Sequence, residues 1–174
     1  HVPSVFMASF LYFGAGIGVG LMYFFNRNRV KEDKLEKKDL PYTLGMIILD
    51  IAAPIFLMIG IRLGHASDAS LLGNFEIVAT AMIALLLFKE NVSRKLWMAI
   101  ALITVSSIIL SVDGESEFSF SYGSIFVLLA TLCWGMENNC TRSISDKSTY
   151  EIVTIKGLGS GTGSFIVAIL MGES

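Results

Sequence analysis

Six apolar stretches, at about 3–25, 41–63, 68–88, 95–112, 121–141 and 150–171, divide the 174-residue chain. Each is close to the roughly 20 residues that a helix needs to cross a bilayer core. Composition agrees. The chain is 53% hydrophobic and only 16% charged, against about 25% charged for an average soluble domain. The sequence therefore predicts an all-α, polytopic membrane protein with six transmembrane helices, lying in the cell membrane as a multi-pass integral protein. The first stretch is too long for a cleaved signal and has no basic region before it. The chain begins without Met and stops at MGES directly after a span, so it reads as a segment of a longer protein.

Charge placement orients the spans. Arg27, Arg29, Lys31, Lys34, Lys37 and Lys38 fall between the first and second, Lys89, Arg94 and Lys95 between the third and fourth, and Arg142 and Lys147 between the fifth and sixth. The intervening loops, 64–67 and 113–120, contain no Lys or Arg, so the positive-inside rule puts the basic loops in the cytoplasm. The first of them, RNRVKEDKLEKKDL, also reads as a solvated linker. Tyr23, Tyr42, Trp97 and Tyr150 then mark cytoplasmic ends and Tyr122 an outer end, where aromatic rings favour the headgroup layer.

Several polar residues read as structural. Pro41 after Asp39 marks a helix start, Ser67 and Asp68 can cap the third span, and Ser148 with Glu151 has capping-box spacing. Arg62 can snorkel or pair with Asp68, and Glu90 flanks a cytoplasmic turn. Cys133 and Cys140 would lie about 10 Å apart along one helix, too far for a disulfide. His65 is alone in a short outer loop, and nothing has metal-ligand spacing.

An internal echo organises the chain. Residues 13–18 read FGAGIG and residues 158–163 read LGSGTG, each near the middle of an apolar span and 145 residues apart. Four spans separate them, so the two must cross in opposite directions, as in an inverted repeat of five helices. A dinucleotide-binding motif fails, because Val19 and Ser164 stand where it needs glycine and no strand precedes either run. Gly14/Gly18, Gly16/Gly20 and Gly159/Gly163 are instead small-xxx-small pairs that let helix backbones approach.

The segment SDASLLGNFEIVATAMIALLLFKENVSRKLWMAIALITVSSIILS, followed by SYGSIFVLLATLCWGMENNCTRSIS, resembles the EamA-like branch of the drug/metabolite transporter superfamily. A small-residue span start leads to an apolar helix ending in Glu90, a basic turn and a Ser-containing helix follow, and a Trp-bearing helix, here with Trp134, opens the next repeat. The resemblance implies ten helices as an inverted five-plus-five repeat, with both termini cytoplasmic and small metabolites exported or exchanged. By that register the spans are helices two to seven, with one helix before His1 and three after Ser174. Residues 1–112 are then the later part of the first repeat and 113–174 the start of the second. Asn74-Phe75-Glu76 stands where many relatives carry a proline-containing stretch, so their substrate site does not transfer directly.

Two acids stand where acids are expensive. Glu76 is about eight residues from the outer end of its span and Asp50 about nine from the cytoplasmic end of its own, which puts both near mid-depth. A carboxylate at a bilayer centre costs on the order of 2.5–3.5 kcal/mol on insertion scales. Protonation, a cationic partner or a water-filled cavity must compensate, and desolvation, by disfavouring the charged form, suits a proton-carrying role. Asp50 and Glu76 are the expected ion-coupling residues. Asn74, Glu76, Trp134, Glu137, Asn138 and Lys156 are the expected substrate-binding residues, with Asn139 as a further interhelical hydrogen bonder. Glu137 and Lys156 lie at equal depth, roughly 8–9 Å from the cytoplasmic face, on helices joined by a short loop, and are expected to form an ion pair.

The expected function is secondary active transport of a small polar or amphipathic metabolite by alternating access, as an exporter or exchanger. The rivals are a membrane-embedded enzyme using Asp50, Glu76 and Glu137 as acid/base groups, and a non-transporting assembly protein. Against the enzyme, no nucleophile–base pair or phosphate-cradling motif accompanies the acids, so no catalytic residue, cofactor or metal is expected. The expected partners are the metabolite, protons as coupling ion, the lipid bilayer and a second copy in a homodimer, with no nucleic acid.

Overall fold

The computed structural model describes residues 4–26, 32–64, 66–91, 93–113 and 121–172. Their helices are α1 (Ser4–Asn26), α2 (Leu40–Leu63), α3 (Ala66–Gly73), α4 (Phe75–Leu86), α5 (Arg94–Asp113), α6 (Tyr122–Ser143) and α7 (Thr149–Leu170), with a 3-10 turn at Lys37–Asp39 before α2. The six apolar stretches thus become six helical segments, and the described residues form no strand. Four segments, Val5–Asn26, Lys37–Leu63, Ala69–Leu86 and Thr149–Leu170, are long and apolar enough to cross a membrane. His65, the basic residues 27, 29 and 31, and most of the outer loop 113–120 lie outside the described residues, as does the side chain of Asp68.

Much of the buried interior is built of small side chains. Large apolar side chains such as Leu11, Phe25, Tyr122 and Leu170 face outward, while Ser9, Ala53, Ala130, Ser160, Ser164 and Ala168 are fully buried. Small side chains let helix backbones approach closely, which is how helices associate where lipid removes the hydrophobic incentive.

Two compact units make up the fold, residues 1–54 with 140–174 and residues 55–139. In the first, α1 and α7 run antiparallel. Gly20 lies opposite Thr154, Gly16 opposite Gly157 and Phe13 opposite Gly161, and Phe6 packs edge-on against Phe165 at 5.2 Å. Gly159 and Gly163 pack instead against Ile47 and Ile51 of α2. Two of the three expected glycine pairs therefore lie at helix contacts. Gly14 and Gly18 do not: a Cβ at either would meet nothing within 4 Å.

The described part of the α1–α2 loop is largely exposed, as a solvated linker would be, but it is also docked. It lies across the start of α7. Glu151 accepts hydrogen bonds from the Tyr23 hydroxyl at 3.0 Å and the Leu35 N–H at 2.9 Å. Glu32 accepts from the Thr149 N–H at 3.0 Å, and the Ser148 N–H donates to the Asp33 carbonyl at 2.7 Å. Tyr23 and Tyr150 stack with ring centroids 6.0 Å apart. Glu151 is structural, as expected, but not as a capping box. Ser148 makes no side-chain cap, and Glu32 of the α1–α2 loop accepts from the Thr149 N–H instead. A capping box does form at the 3-10 turn, where Asp39 accepts from the Glu36 N–H.

In the second unit the upper part of α2 packs antiparallel on α6. Gly60 and Gly64 lie against Gly123 and Val127, and Phe56 meets Phe126 at 6.3 Å. The third apolar stretch is broken at Asn74, whose N–H donates to the Leu71 carbonyl at 3.2 Å in a turn between α3 and α4.

Candidate functional site

Pro54 sits inside α2. Proline has no N–H, so the carbonyl four residues earlier loses its helical donor, and that carbonyl belongs to Asp50. The Tyr12 hydroxyl of α1 donates to it at 3.5 Å. Freed backbone groups inside membranes are satisfied by neighbouring helices in this way. The Asp50 side chain is 3% exposed. Its Oδ2 accepts from the Ser160 hydroxyl at 3.3 Å and lies 3.5 Å from the Lys156 ammonium, both on α7. Lys156 and Ser160 are one helical turn apart and so share a face. Asp50 thus meets the demand for compensation with a cation and a hydroxyl drawn from another helix. Equal depth picks Glu137 as a partner for Lys156; within the first unit, the structure places Asp50 beside it. Sequence reasoning missed Tyr12, Ser160 and Pro54, and only Pro54, four residues after a mid-span acid, left a readable signal.

The second site lies in the other unit. The break at Asn74 opens α4 with Glu76 in its first turn, where the partial positive charge of a helix N-terminus favours a carboxylate. Glu76 Oε1 accepts from the Asn138 amide at 3.0 Å, and the same amide lies 3.3 Å from the Thr80 hydroxyl, which itself donates to the Glu76 carbonyl at 2.8 Å. Asn139 donates to the carbonyls of Thr80 and Gly135, at 2.9 and 2.7 Å. Gly135 makes this crossing possible, since a Cβ there would come within 2.9 Å of the Thr80 nitrogen. An acid, an amide and a hydroxyl from two helices therefore form one polar patch. Trp134 is half-buried on the same helix, Glu137 is buried at 3% exposure, and Asn74 is exposed at the break. Asn74 borders a crevice with Phe75, Val78, Ile103 and Thr104.

Beyond the spans, the loop carries one marked electrostatic pair. Lys147 Nζ lies 3.1 Å from Glu36 Oε1, and Lys38 lies 3.2 Å from the other carboxylate oxygen. The hydrogen bond from Lys147 holds the Glu36 carboxyl below its ordinary range, and the same contact pushes the Lys147 amine up. Among the described residues no group of His, Cys, Asp or Glu is placed to hold a metal ion, and neither cysteine is in a disulfide.

Residues 1–112 match the model of the EamA-like transporter family. An uncharacterized transporter of Methanothermobacter thermautotrophicus is 24% identical over 151 residues, covering 84% of this chain and 43% of that protein. The chain thus spans less than half the length of the curated relative it matches. No solved structure gives a significant match.

Proposed function

The chain belongs to the EamA-like transporter family, and from that premise we propose that it forms part of a secondary active transporter, an exporter or exchanger that moves a small polar or amphipathic metabolite by alternating access. It is a multi-pass integral membrane protein. In this reading 1–112 and 113–174 belong to successive inverted repeats, and the antiparallel course of α1 and α7 supports that assignment. Asn74, Glu76, Trp134, Glu137, Asn138 and Lys156 contribute to the substrate path, while Asp50 and Glu76 carry the coupling proton.

The observation that carries the reading is Asp50. A carboxyl 3% exposed, in the middle of an apolar helix, is held by Lys156 and Ser160 of another helix beside a proline that opens the backbone. Intramembrane ionisable groups are rare and mark ion or substrate pathways by default. Discontinuous or opened helices at such sites are a recurring device of secondary transporters. Flux into proteoliposomes carrying the whole protein, with and without an imposed pH gradient, tests it. Metabolite uptake that follows the gradient and is lost in Asp50→Asn is expected. A protein that moves no metabolite from a broad panel under any gradient is not a transporter.

A further inference from the structure

Asp50 and Lys156 differ in one respect that bears on what the site binds. The Asp50 side chain is 3% exposed and that of Lys156 is 26% exposed. Of the two side chains, Lys156 is the more accessible to a ligand. The contact between them is also loose. At 3.5 Å it is well beyond the 2.7–2.9 Å of a charge-assisted N–H···O bond, and the Ser160 hydroxyl sits at 3.3 Å from the same oxygen. The next residue on that face of α7, Ser164, is 1% exposed, and its hydroxyl has no hydrogen-bond partner among the described residues. A buried hydroxyl left unsatisfied is uncommon and calls for an occupant or a rearrangement.

We propose that Lys156 is the anchor for a carboxylate group of the transported metabolite, and that Asp50 is the internal carboxylate that occupies this anchor when no substrate is bound. The inference rests on the transporter reading and names the substrate class it takes. The ammonium of lysine is a compact charge with three donors on a flexible stem, able to turn from one carboxylate to another without a fixed fork geometry. Asp50 has a second hold in Ser160 and stays behind when Lys156 turns. Because two carboxylates compete for one ammonium, occupancy by the substrate is limited by the charge of Asp50. Like charges brought together in a desolvated site repel strongly.

The test is binding, read as the thermal shift of the whole protein in detergent at fixed ionic strength, with sodium benzoate and sodium acetate as carboxylate probes, inorganic phosphate as a second anion and tetramethylammonium chloride as a cation. Carboxylate-dependent stabilisation of the wild type is expected, retained in Lys156→Arg and absent in Lys156→Met. Asp50→Asn removes the internal competitor and is expected to tighten carboxylate binding by about tenfold. Should Lys156→Met fail to fold, the double variant Asp50→Asn with Lys156→Met removes both charges of this contact together and is expected not to bind. Binding that survives in that double variant, binding weakened by Asp50→Asn, or stabilisation by phosphate or the cation alone overturns the proposal. Counterflow of labelled benzoate in proteoliposomes separates the two readings. Carboxylates that bind through Lys156 without being moved leave the anchor standing and remove the transporter, whereas transport indifferent to Lys156→Met does the reverse.

Discussion

Gly16 and Gly157 stand backbone against backbone where α1 and α7 cross. A Cβ on Gly157 would lie 2.6 Å from the Gly16 Cα and nitrogen, and 2.7 Å from the Tyr12 carbonyl oxygen. Main chain cannot yield as a flexible side chain can, so Gly157→Ala must push the helices apart and is expected to destabilise by about 1–3 kcal/mol, the usual range for overpacking. Gly14→Ala and Gly18→Ala, with open space around both positions, should be neutral or stabilising by up to about 1 kcal/mol through helix propensity. Thermal unfolding in detergent distinguishes the two sets. A similar loss for Gly14→Ala and Gly157→Ala would contradict the packing.

Glu76→Gln keeps an oxygen that can accept from Asn138, and should fold with nearly unchanged thermal stability. If Glu76 carries a coupling proton, the variant loses gradient-driven uptake. Glu151→Gln should behave oppositely, weakening the hold of Glu151 on Tyr23 and Leu35 and lowering stability while leaving the pH dependence of uptake intact. Unchanged, fully pH-responsive uptake by Glu76→Gln removes its coupling role.

How far the sequence carried can be judged from these residues. Hydropathy located the helical segments because a bilayer-length apolar run has one structural outcome. The glycine echo points to α1 and α7, and Gly16 does stand at their close crossing. What hydropathy lacks is rotation about each helix axis. Depth matches Glu137 to Lys156, but depth is one coordinate of three, and Asp50, on a different helix, reaches Lys156. The same lack of rotation hid the idle face of Gly14 and Gly18. The docking of residues 32–36 on α7 depends on pairs more than 110 positions apart in sequence, such as Leu35 with Glu151, which local composition does not encode. The break at Asn74 has little local signal, because Asn74 and Gly73 are weak breakers beside a long apolar run.

The Glu36–Lys147 pair gives a pH dependence whose sign follows from the two shifts. Glu36 is lowered from 4.5 on folding, so its contribution is fully present above that value and is lost as pH falls through the lower folded value. Lys147 is raised from 10.5, so its contribution is fully present below that value and is lost as pH rises through the higher folded one. Glu36→Gln should therefore be less stable than wild type across the neutral range and converge with it at both extremes. Stability curves that stay parallel down to strong acid would show that the pair does not act this way.

Single cysteines introduced at Lys34 and Ser116 should label from opposite sides of the membrane with an impermeant maleimide in intact cells. Ser116 lies outside the described residues, so this measurement tests the charge asymmetry of the loops independently of the helix packing. Labelling of both positions from the same side overturns the topology.

Tyr12 and Pro54 should be energetically coupled although they sit on different helices. Pro54 withholds the N–H that would bond the Asp50 carbonyl, and the Tyr12 hydroxyl donates to that carbonyl from α1 at 3.5 Å. Tyr12→Phe leaves the ring packing in place and removes the donor, an expected loss of about 1 kcal/mol, typical of one intramolecular hydrogen bond. Pro54→Ala restores a main-chain N–H at the helical position, so the carbonyl no longer depends on α1. In that background Tyr12→Phe should cost markedly less, and the coupling energy from the double-mutant cycle measures the handover. The sign of Pro54→Ala alone does not enter, because it mixes the new hydrogen bond with straightening of α2. An equal cost for Tyr12→Phe in both backgrounds would mean that the tyrosine and the proline-opened carbonyl are neighbours without exchange, and the opening beside Asp50 would then have to be held by other contacts.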